Sequence, residues 1–457
     1  MARYSKTAVT VLLIFLCSAF TAGADAFEDE LFGTSDQSES AFFTDDEEDL
    51  FGSSDEQSLF SEDGDFIVDV EQTDKSLDTL LLSEEDETVR IGGNFSFTAK
   101  PGFTWDYDDQ MEGTFSGSIE TLTFIDARVS DDVRVYSSFT YDHSLAENTF
   151  EFAMKEAFAD LTFGDNIFIR AGKQIINWGV GYFFSPADVL NLSDIDPTNV
   201  SDDVEGPVAV KMNVSLGIDN LYAYVILPPS IEDPSDLAYA VKYEKVIGGT
   251  ELGFGGYYRY DNPPSAQITF SSGIGEIALF GEGVLQYGSN KTFITGNDTT
   301  ATYDDRFYFL GTVGGMYTYS SSESDFSLSA VGQYFYNGEG YEDTEMYDYV
   351  PSVLTQIELS DLLLPGRHYI GATLSASFTD DLGASVLVIS NMTDFSGLVI
   401  PSITYSGIDN LSISLSANLN YGSDGTEYVF ALDETYQIVY PRYLSPSLSI
   451  TFGSISF

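Results

Sequence analysis

From Val89 onward, apolar and polar residues alternate along most of the chain. In "VRIGGNFSFTAKPGFTWDYDD" the positions Ile91, Gly93, Phe95, Phe97, Ala99, Phe103, Trp105 and Tyr107 are apolar or small, and Asn94, Ser96, Thr98, Lys100, Thr104 and Asp106 lie between them. A period of two sends successive side chains to opposite faces of a strand, one oily and one polar. The pattern returns in "PVAVKMNVSLGIDN", with Val208, Val210, Met212, Val214 and Leu216 facing away from Lys211, Asn213 and Ser215. It returns again in "NLSISLSANLNY", where Leu411, Ile413, Leu415, Ala417, Leu419 and Tyr421 oppose Ser412, Ser414, Ser416, Asn418 and Asn420. The polar face is mostly hydroxyl and amide, with few charges.

The alternation predicts strands over 91–103, 113–125, 131–141, 150–163, 167–177, 207–216, 221–228, 237–246, 251–260, 265–271, 276–287, 305–318, 326–336, 367–378, 383–390, 396–405, 410–420 and 447–457. Tight turns join many of them: "GIDN" occurs at Gly217–Asn220 and again at Gly407–Asn410, and "FGDN" and "TDDLG" act alike. Longer polar stretches fill the alternate junctions, near 178–206, 229–236, 261–264, 288–304, 337–366 and 421–446. Short turns on one edge and long loops on the other describe a meander, and no helix-period run separates the strands as βαβ units require. The expected fold is all-β: a closed antiparallel up-and-down transmembrane β-barrel of about eighteen strands, sixteen being the alternative because 265–271 is short.

Before the barrel the chain reads differently. Arg3 and Lys6, the apolar run Val9–Cys17 and the small residues of "AGADA" make 1–24 a signal peptide. Residues 25–88 form an acidic low-complexity segment with 24 acids against one base, Lys75, and 89–457 form the barrel. Within the acidic segment "EDELFGTSD" and "EEDLFGSSD" repeat a Leu-Phe-Gly centre, at Leu31–Gly33 and Leu50–Gly52. So charged a segment builds no core; it is a disordered linker or a docking element for a partner. Cys17 is the only cysteine and lies in the signal, so the mature chain has no disulfide and no cysteine-based metal or redox site.

Charge narrows the function. A formal net charge of −55 repels nucleic acid and offers no basic patch for phosphates. Enzyme chemistry finds little support: His143 and His368 are the only histidines, neither in a metal-pair spacing nor beside an oriented serine and acid, and there is no "GxSxG" or phosphate loop. The acidic clusters Asp45–Asp49, Ser83–Asp86 and Ser201–Asp203 lack the spaced ligands and fixed glycine of a calcium loop. No enzyme, cofactor or metal is expected.

The most distinctive segment is "FIRAGKQIINWGVGYFFSPADVLNLSDIDPTNVSDDVEGP", Phe168–Pro207. Its residues Gly172, Lys173, Gln174, Trp178, Gly179, Gly181, Phe184, Pro186, Asp188 and Asn191 resemble a "GxQ…WGxG" motif of a poorly characterised, porin-like family of bacterial outer-membrane proteins, over roughly 40 of 457 residues. The duplicated acidic leader resembles those of spirochaetal exported proteins, and Phe457 resembles the terminal aromatic read by the barrel assembly machinery. The resemblance implies an outer-membrane barrel, with lipid and the assembly machinery as partners. It supplies no catalytic residue. Near Gly453 the strand phase slips, Leu448, Ile450 and Phe452 pointing one way and Ile455 and Phe457 the other.

Read from its residues, the loop places Ser185 to cap a short helix begun by Pro186, with Asp188 at its third position. Folded inward it would bring Asp188, Asp194, Asp196, Asp202, Asp203 and Glu205 to a constriction; folded outward, Trp178, Tyr182, Phe183 and Phe184 would join an interfacial aromatic belt. Lys100, Arg134, Arg170, Lys211, Lys242 and Arg259 share the phase of the polar faces and are expected on the lumen wall, paired with acids such as Glu244 and Asp142. The expected function is passive passage of small hydrophilic solutes, with cation preference because 49 acids face 15 bases from residue 88 onward. The alternatives are a structural barrel that tethers a periplasmic partner through the acidic segment, and an uptake channel for a hydrophobic substrate. An even barrel puts the acidic segment in the periplasm. The oligomeric state is open at this level.

Overall fold

The computed structural model describes residues 89–106, 111–146, 148–176, 178–190, 206–227, 233–260, 262–322, 324–432, 438–439 and 443–453, all within one compact unit, Ser61–Phe457. The signal peptide, the acidic segment with its repeats, Asn191, the five acids from Asp194 to Glu205 and Phe457 lie outside the described residues.

Eighteen strands form one sheet. They are β1 (Val89–Asp106), β2 (Met111–Ser130), β3 (Val133–Ser144), β4 (Thr149–Phe163), β5 (Ile167–Lys173) and β6 (Val208–Leu216). Next come β7 (Asp219–Leu227), β8 (Ala238–Ile247), β9 (Thr250–Arg259), β10 (Ser265–Ile274), β11 (Ile277–Tyr287) and β12 (Phe307–Ser320). The last six are β13 (Ser327–Asn337), β14 (His368–Thr379), β15 (Leu382–Asn391), β16 (Ser396–Ile408), β17 (Leu411–Tyr421) and β18 (Tyr443–Gly453). Each pairs antiparallel with the next, and β18 returns to β1, Phe97 opposite Phe452 and Ala99 opposite Ile450. Closure leaves no sheet edge unpaired, which is what a strand-built structure in lipid requires. Among the described residues no helix is long and apolar enough to cross a membrane.

The wall is oily outside. Val208 (45% exposed), Val210 (41%) and Leu216 (55%) share one face of β6, and Phe309 (51%) and Val313 (51%) share the same face of β12. Their in-between neighbours point into the barrel. On β11 these are Phe280, Glu282 and Val284, all buried.

Turn chemistry differs between the two "GIDN" copies. In the first, Gly217 takes φ +83° and the turn is Gly217–Ile218; in the second, β16 runs on to Ile408, Asn410 takes φ 57° and the turn is Asp409–Asn410. Glycine and asparagine both tolerate the left-handed region, so one tetrapeptide turns the chain at either end. A register shift between Tyr405 and Ile408 absorbs the offset.

Helix α1 (Glu345–Val353) and a small hairpin (Phe293–Gly296 with Thr299–Ala301) occupy long-edge loops. They pack together around Ile294, Met346, Tyr347, Val350 and Val353. Period-two reading passed over α1, whose buried residues recur at helical spacing inside a loop otherwise rich in tyrosine and acid.

Candidate functional site

Strand β5 stops after seven residues because the chain leaves the wall there. Gly172 makes the exit: its φ is +138°, and a Cβ would collide with the carbonyl of Ala157 on β4. Gln174, 1% exposed, donates its backbone N–H to Pro207 O (3.1 Å) and its side-chain amide to Ala209 O (3.1 Å), so the departing and returning strands are stitched at the gap. Ile175 N–H donates to the Glu156 carboxylate on β4.

Residues 174–176 and 178–190 then run along the inner wall. The Trp178 ring packs edge-on against Tyr224 of β7, 5.2 Å between centroids, and Lys242 of β8 donates to Trp178 O at 3.1 Å. The next contact is with Glu282 on β11. One of its oxygens accepts from Val180 N (2.5 Å), Gly181 N (2.5 Å) and Ser185 Oγ (2.9 Å), and the other accepts from Ala187 N (2.9 Å). Four donors on one carboxylate fold the segment around it, and Gly179 lets the backbone come that close, since a Cβ there would meet both Ser185 Oγ and the carboxylate. Gln333 on β13 holds the following turn. Its carbonyl oxygen accepts from Tyr182, Phe183 and Phe184 N–H, and its amide donates to Phe184 O (2.6 Å) and Thr312 Oγ1 (2.5 Å). The Phe184 ring stacks on Phe335, 5.2 Å away, and Phe183 fills the space beside Gly371 on β14. Every wall residue in this set lies opposite the exposed apolar face, so the segment lies inside the barrel.

Two expectations change here. The aromatics are not an outward belt: Trp178, Phe183 and Phe184 are at most 3% exposed, packed between segment and wall. The capped helix after Ser185 does not form. Pro186–Ala187 is a single turn closed by Asp188 N–H to Ser185 O, and the Ser185 hydroxyl goes to Glu282 instead. The Ala187 N–H, which a Ser185 cap would accept, goes to the Glu282 carboxylate, the stronger acceptor.

The wall bases occupy several settings. Arg134 forms a two-bond pair with Asp126 (2.9 and 3.2 Å), and Arg170 does the same with Asp160 (2.8 and 3.2 Å) while lying 3.9 Å over the Phe158 ring. Asp160 also lies 3.8 Å from Arg134, so the two arginines share it. Lys211, in register with Arg170, sits over the Tyr222 and Tyr224 rings. Lys242 pairs with Glu244 at 2.7 Å beneath the segment, 6% exposed. Lys100 is exposed and Arg259 half-buried at the end of β9; neither joins this group. Asp188 is half-buried at the segment's turn.

Elsewhere the inner wall carries hydroxyls. Ser329, Ser375, Ser385, Ser402, Ser416 and Ser447 stand directly opposite one another across β13 to β18, an unbroken lateral row. Neighbouring rows add Ser402–Ser414 and Thr98–Thr451 hydrogen bonds, each 3.0 Å.

Sequence reasoning picked out the segment's own residues but not Glu282 and Gln333, the side chains that seat it. A signal was present. In "ALFGEGVLQ" the inward phase reads Phe280, Glu282, Val284, one acid among apolar residues on the face that is otherwise polar, and Gln333 sits likewise between Val331 and Phe335.

No protein-family model matches the chain, and no curated protein matches it in sequence. Solved structures do match in chain course. OccK11 (OpdR) of Pseudomonas aeruginosa is 8% identical, with a TM-score of 0.46, covering 80% of this chain and 96% of that one. Acinetobacter baumannii OccAB1 is 12% identical, with a TM-score of 0.46, covering 80% and 97%. A triple mutant of the Rhodopseudomonas blastica porin is 8% identical, with a TM-score of 0.40, covering 80% and 100%.

Proposed function

We propose that the chain is a passive, cation-preferring channel of a bacterial outer membrane, carrying small hydrophilic solutes through the barrel and performing no catalysis. One observation carries the reading: the same strands expose Val, Leu and Phe outward and line the inside with a six-serine row and paired charges. Such a wall suits lipid on one side and water on the other.

In this reading the inserted segment is the constriction, and Asp188 with Asp194, Asp196, Asp202, Asp203 and Glu205 makes it acidic. Cation preference follows from the pairing on the wall. Arg134, Arg170 and Lys242 are each bound to an acid, which offsets their attraction for anions and leaves the chain's acid excess to set the field. The acidic 25–88 segment then lies in the periplasm, and Phe457 serves barrel assembly.

Recording from the folded protein in planar bilayers tests both parts. Discrete conductance steps are expected, with a reversal potential of cationic sign under a salt gradient; folded protein without current removes the channel, and anionic sign removes the charge argument. A second reading, a narrow barrel tethering a periplasmic partner, is favoured by how much wall the segment covers, from Lys242 on β8 to the Phe183–Phe184 cluster with Ile389 on β15. Deleting the acidic segment separates the two: lost partner capture with unchanged conductance supports a tether. Uptake of a hydrophobic substrate is a third reading, which the Phe183–Phe184 cluster does not favour, because its rings are buried against one another.

A further inference from the structure

Three separate long-edge connections meet at Tyr369, the second residue of β14, which is fully buried. Its ring packs against Phe184 of the inserted segment (5.8 Å) and Phe335 of β13 (6.2 Å). Its hydroxyl accepts from Gly366 N–H (2.6 Å) in the β13–β14 connection and donates to Glu427 Oε2 (2.7 Å) in the β17–β18 connection. The same carboxylate oxygen accepts from the Asn391 amide of β15 at 2.7 Å.

The turn bearing Glu427 is otherwise held by neutral or like-charged groups. Glu427 N–H donates to Asp394 Oδ2 (2.8 Å), Tyr428 N–H donates to Ser396 Oγ (3.3 Å), and the Tyr428 ring packs on the cluster of Phe183 and Phe184. Glu427 therefore touches the wall directly and the inserted segment through its neighbours.

We propose that Glu427 is a positioning residue for the channel's inserted segment: with its carboxyl protonated it latches the β17–β18 connection and, through Tyr369, the segment against the wall, and proton loss releases both. The segment's role as a constriction rests on the channel reading above; the latch itself does not.

The charged and titratable groups facing this carboxyl are few. Asp394 of the β15–β16 turn disfavours its ionisation, Lys291 of the β11–β12 connection favours it, and Tyr369 and Asn391 favour it by donating hydrogen bonds. The phenols of Tyr347 of α1 and Tyr428 stand nearby, and burial pushes that of Tyr347 up. Lys291 is itself drawn toward Glu339 and Asp361, and its ring contacts are with Phe293 and Tyr341. Burial outweighs the favourable partners and pushes Glu427 up to about 7. Ionising a buried carboxyl without a close cation is expensive, whereas the neutral acid keeps both accepted bonds at little cost.

The sign follows by linkage. Freed into solvent, the carboxyl titrates near 4.5; latched, it holds its proton to about 7. The latched form thus binds the proton more tightly, so the latch is fully set below the lower value and weakens as pH rises through the upper one. Across that window the latched-to-released ratio falls by up to about 300-fold.

Bilayer recording across pH tests this with wild type, Glu427→Gln and Tyr369→Phe. Wild type is expected to spend more time in its larger conductance level as pH rises, with a midpoint near neutrality. Glu427→Gln keeps the acceptor oxygen but loses the titration, and it should stay at the low level throughout; Tyr369→Phe should favour the larger level at every pH. A wild-type midpoint retained in Glu427→Gln overturns the proposal. A silent bilayer is covered by amide exchange over 420–430 in detergent-folded protein, comparing wild type and Glu427→Gln at each pH. Exchange that quickens in wild type relative to Glu427→Gln as pH rises from about 4.5 to about 7 supports the latch even if the channel reading fails, and equal exchange at all pH values overturns it.

Discussion

Glu282 seats the first half of the inserted segment with one side chain. Its carboxylate satisfies three backbone N–H groups and one hydroxyl of the inserted segment, and at 6% exposed none of these bonds is readily replaced by water. Glu282→Ala strands four donors, that of Ala187 buried and the other three part-buried, and a buried one costs ~1–3 kcal/mol when left without a partner. The segment is therefore expected to lift from the wall, raising single-channel conductance and admitting protease between 178 and 190 in folded protein. Glu282→Gln keeps one acceptor but loses the charge and the second acceptor oxygen, so an intermediate conductance is expected from the same recordings. If both variants conduct as wild type does, the carboxylate does not seat the segment. Lys242 is a different case. Its ammonium caps Trp178 O and pairs with Glu244, so Lys242→Met leaves Glu244 buried without its cation and should lower folding stability more than it alters conductance.

At the scale of elements, the inserted segment depends on the exit from β5 and on its aromatic turn. Gly172→Ala forces a side chain into the left-handed region and against Ala157 O, so β5 should lose its register with β4. Phe184→Ala removes a ring buried between Phe335 and Tyr369, a loss of about 3–5 kcal/mol for a filled site. The first change is expected to lower the midpoint of heat-dependent gel mobility, which reports the barrel. The second should leave that midpoint nearly unchanged and loosen only the segment, seen as faster amide exchange over 178–190. The contrast between these elements also explains what could be read from the chain. Strands obey a period of two dictated by lipid outside and water inside, and each of the eighteen, including the short 265–271 element, overlaps the stretch where alternation places it, although the fifth ends at Lys173 and not at 177. The segment obeys no period. Its path is set by Glu282 and Gln333, about 100 and 150 residues further along the chain, so its glycines and aromatics were visible as a motif while their partners were not. Helix α1 was missed for a related reason: its apolar face meets a neighbouring loop, not a layer that repeats along the sequence.

The whole molecule divides its environment by face, and that division makes the sharpest test of the fold. Val313 in the middle of β12 and Ser414 inside β17 both belong to the wall, yet one points out (51% exposed) and the other in, bonded to Ser402 and Thr404. Arginine at the lipid face of a barrel costs ~2–4 kcal/mol near the midplane and little where the side chain meets water. Val313→Arg should therefore cut the yield of folding into vesicles, whereas Ser414→Arg should fold as wild type does. The second substitution has a further consequence. It adds a cation without a partner acid to the hydroxyl-lined side of the interior, whereas Arg134 and Arg170 already have acids. Under the channel reading, cation preference measured by reversal potential should weaken while conductance falls only slightly. Were Val313→Arg to fold freely and Ser414→Arg to fail, the two faces would be inverted, with a dry interior and a wet exterior. A sheet closed with that orientation would have no reason to meet lipid, and its serine row would be a set of buried hydroxyls in place of the wall of an aqueous path.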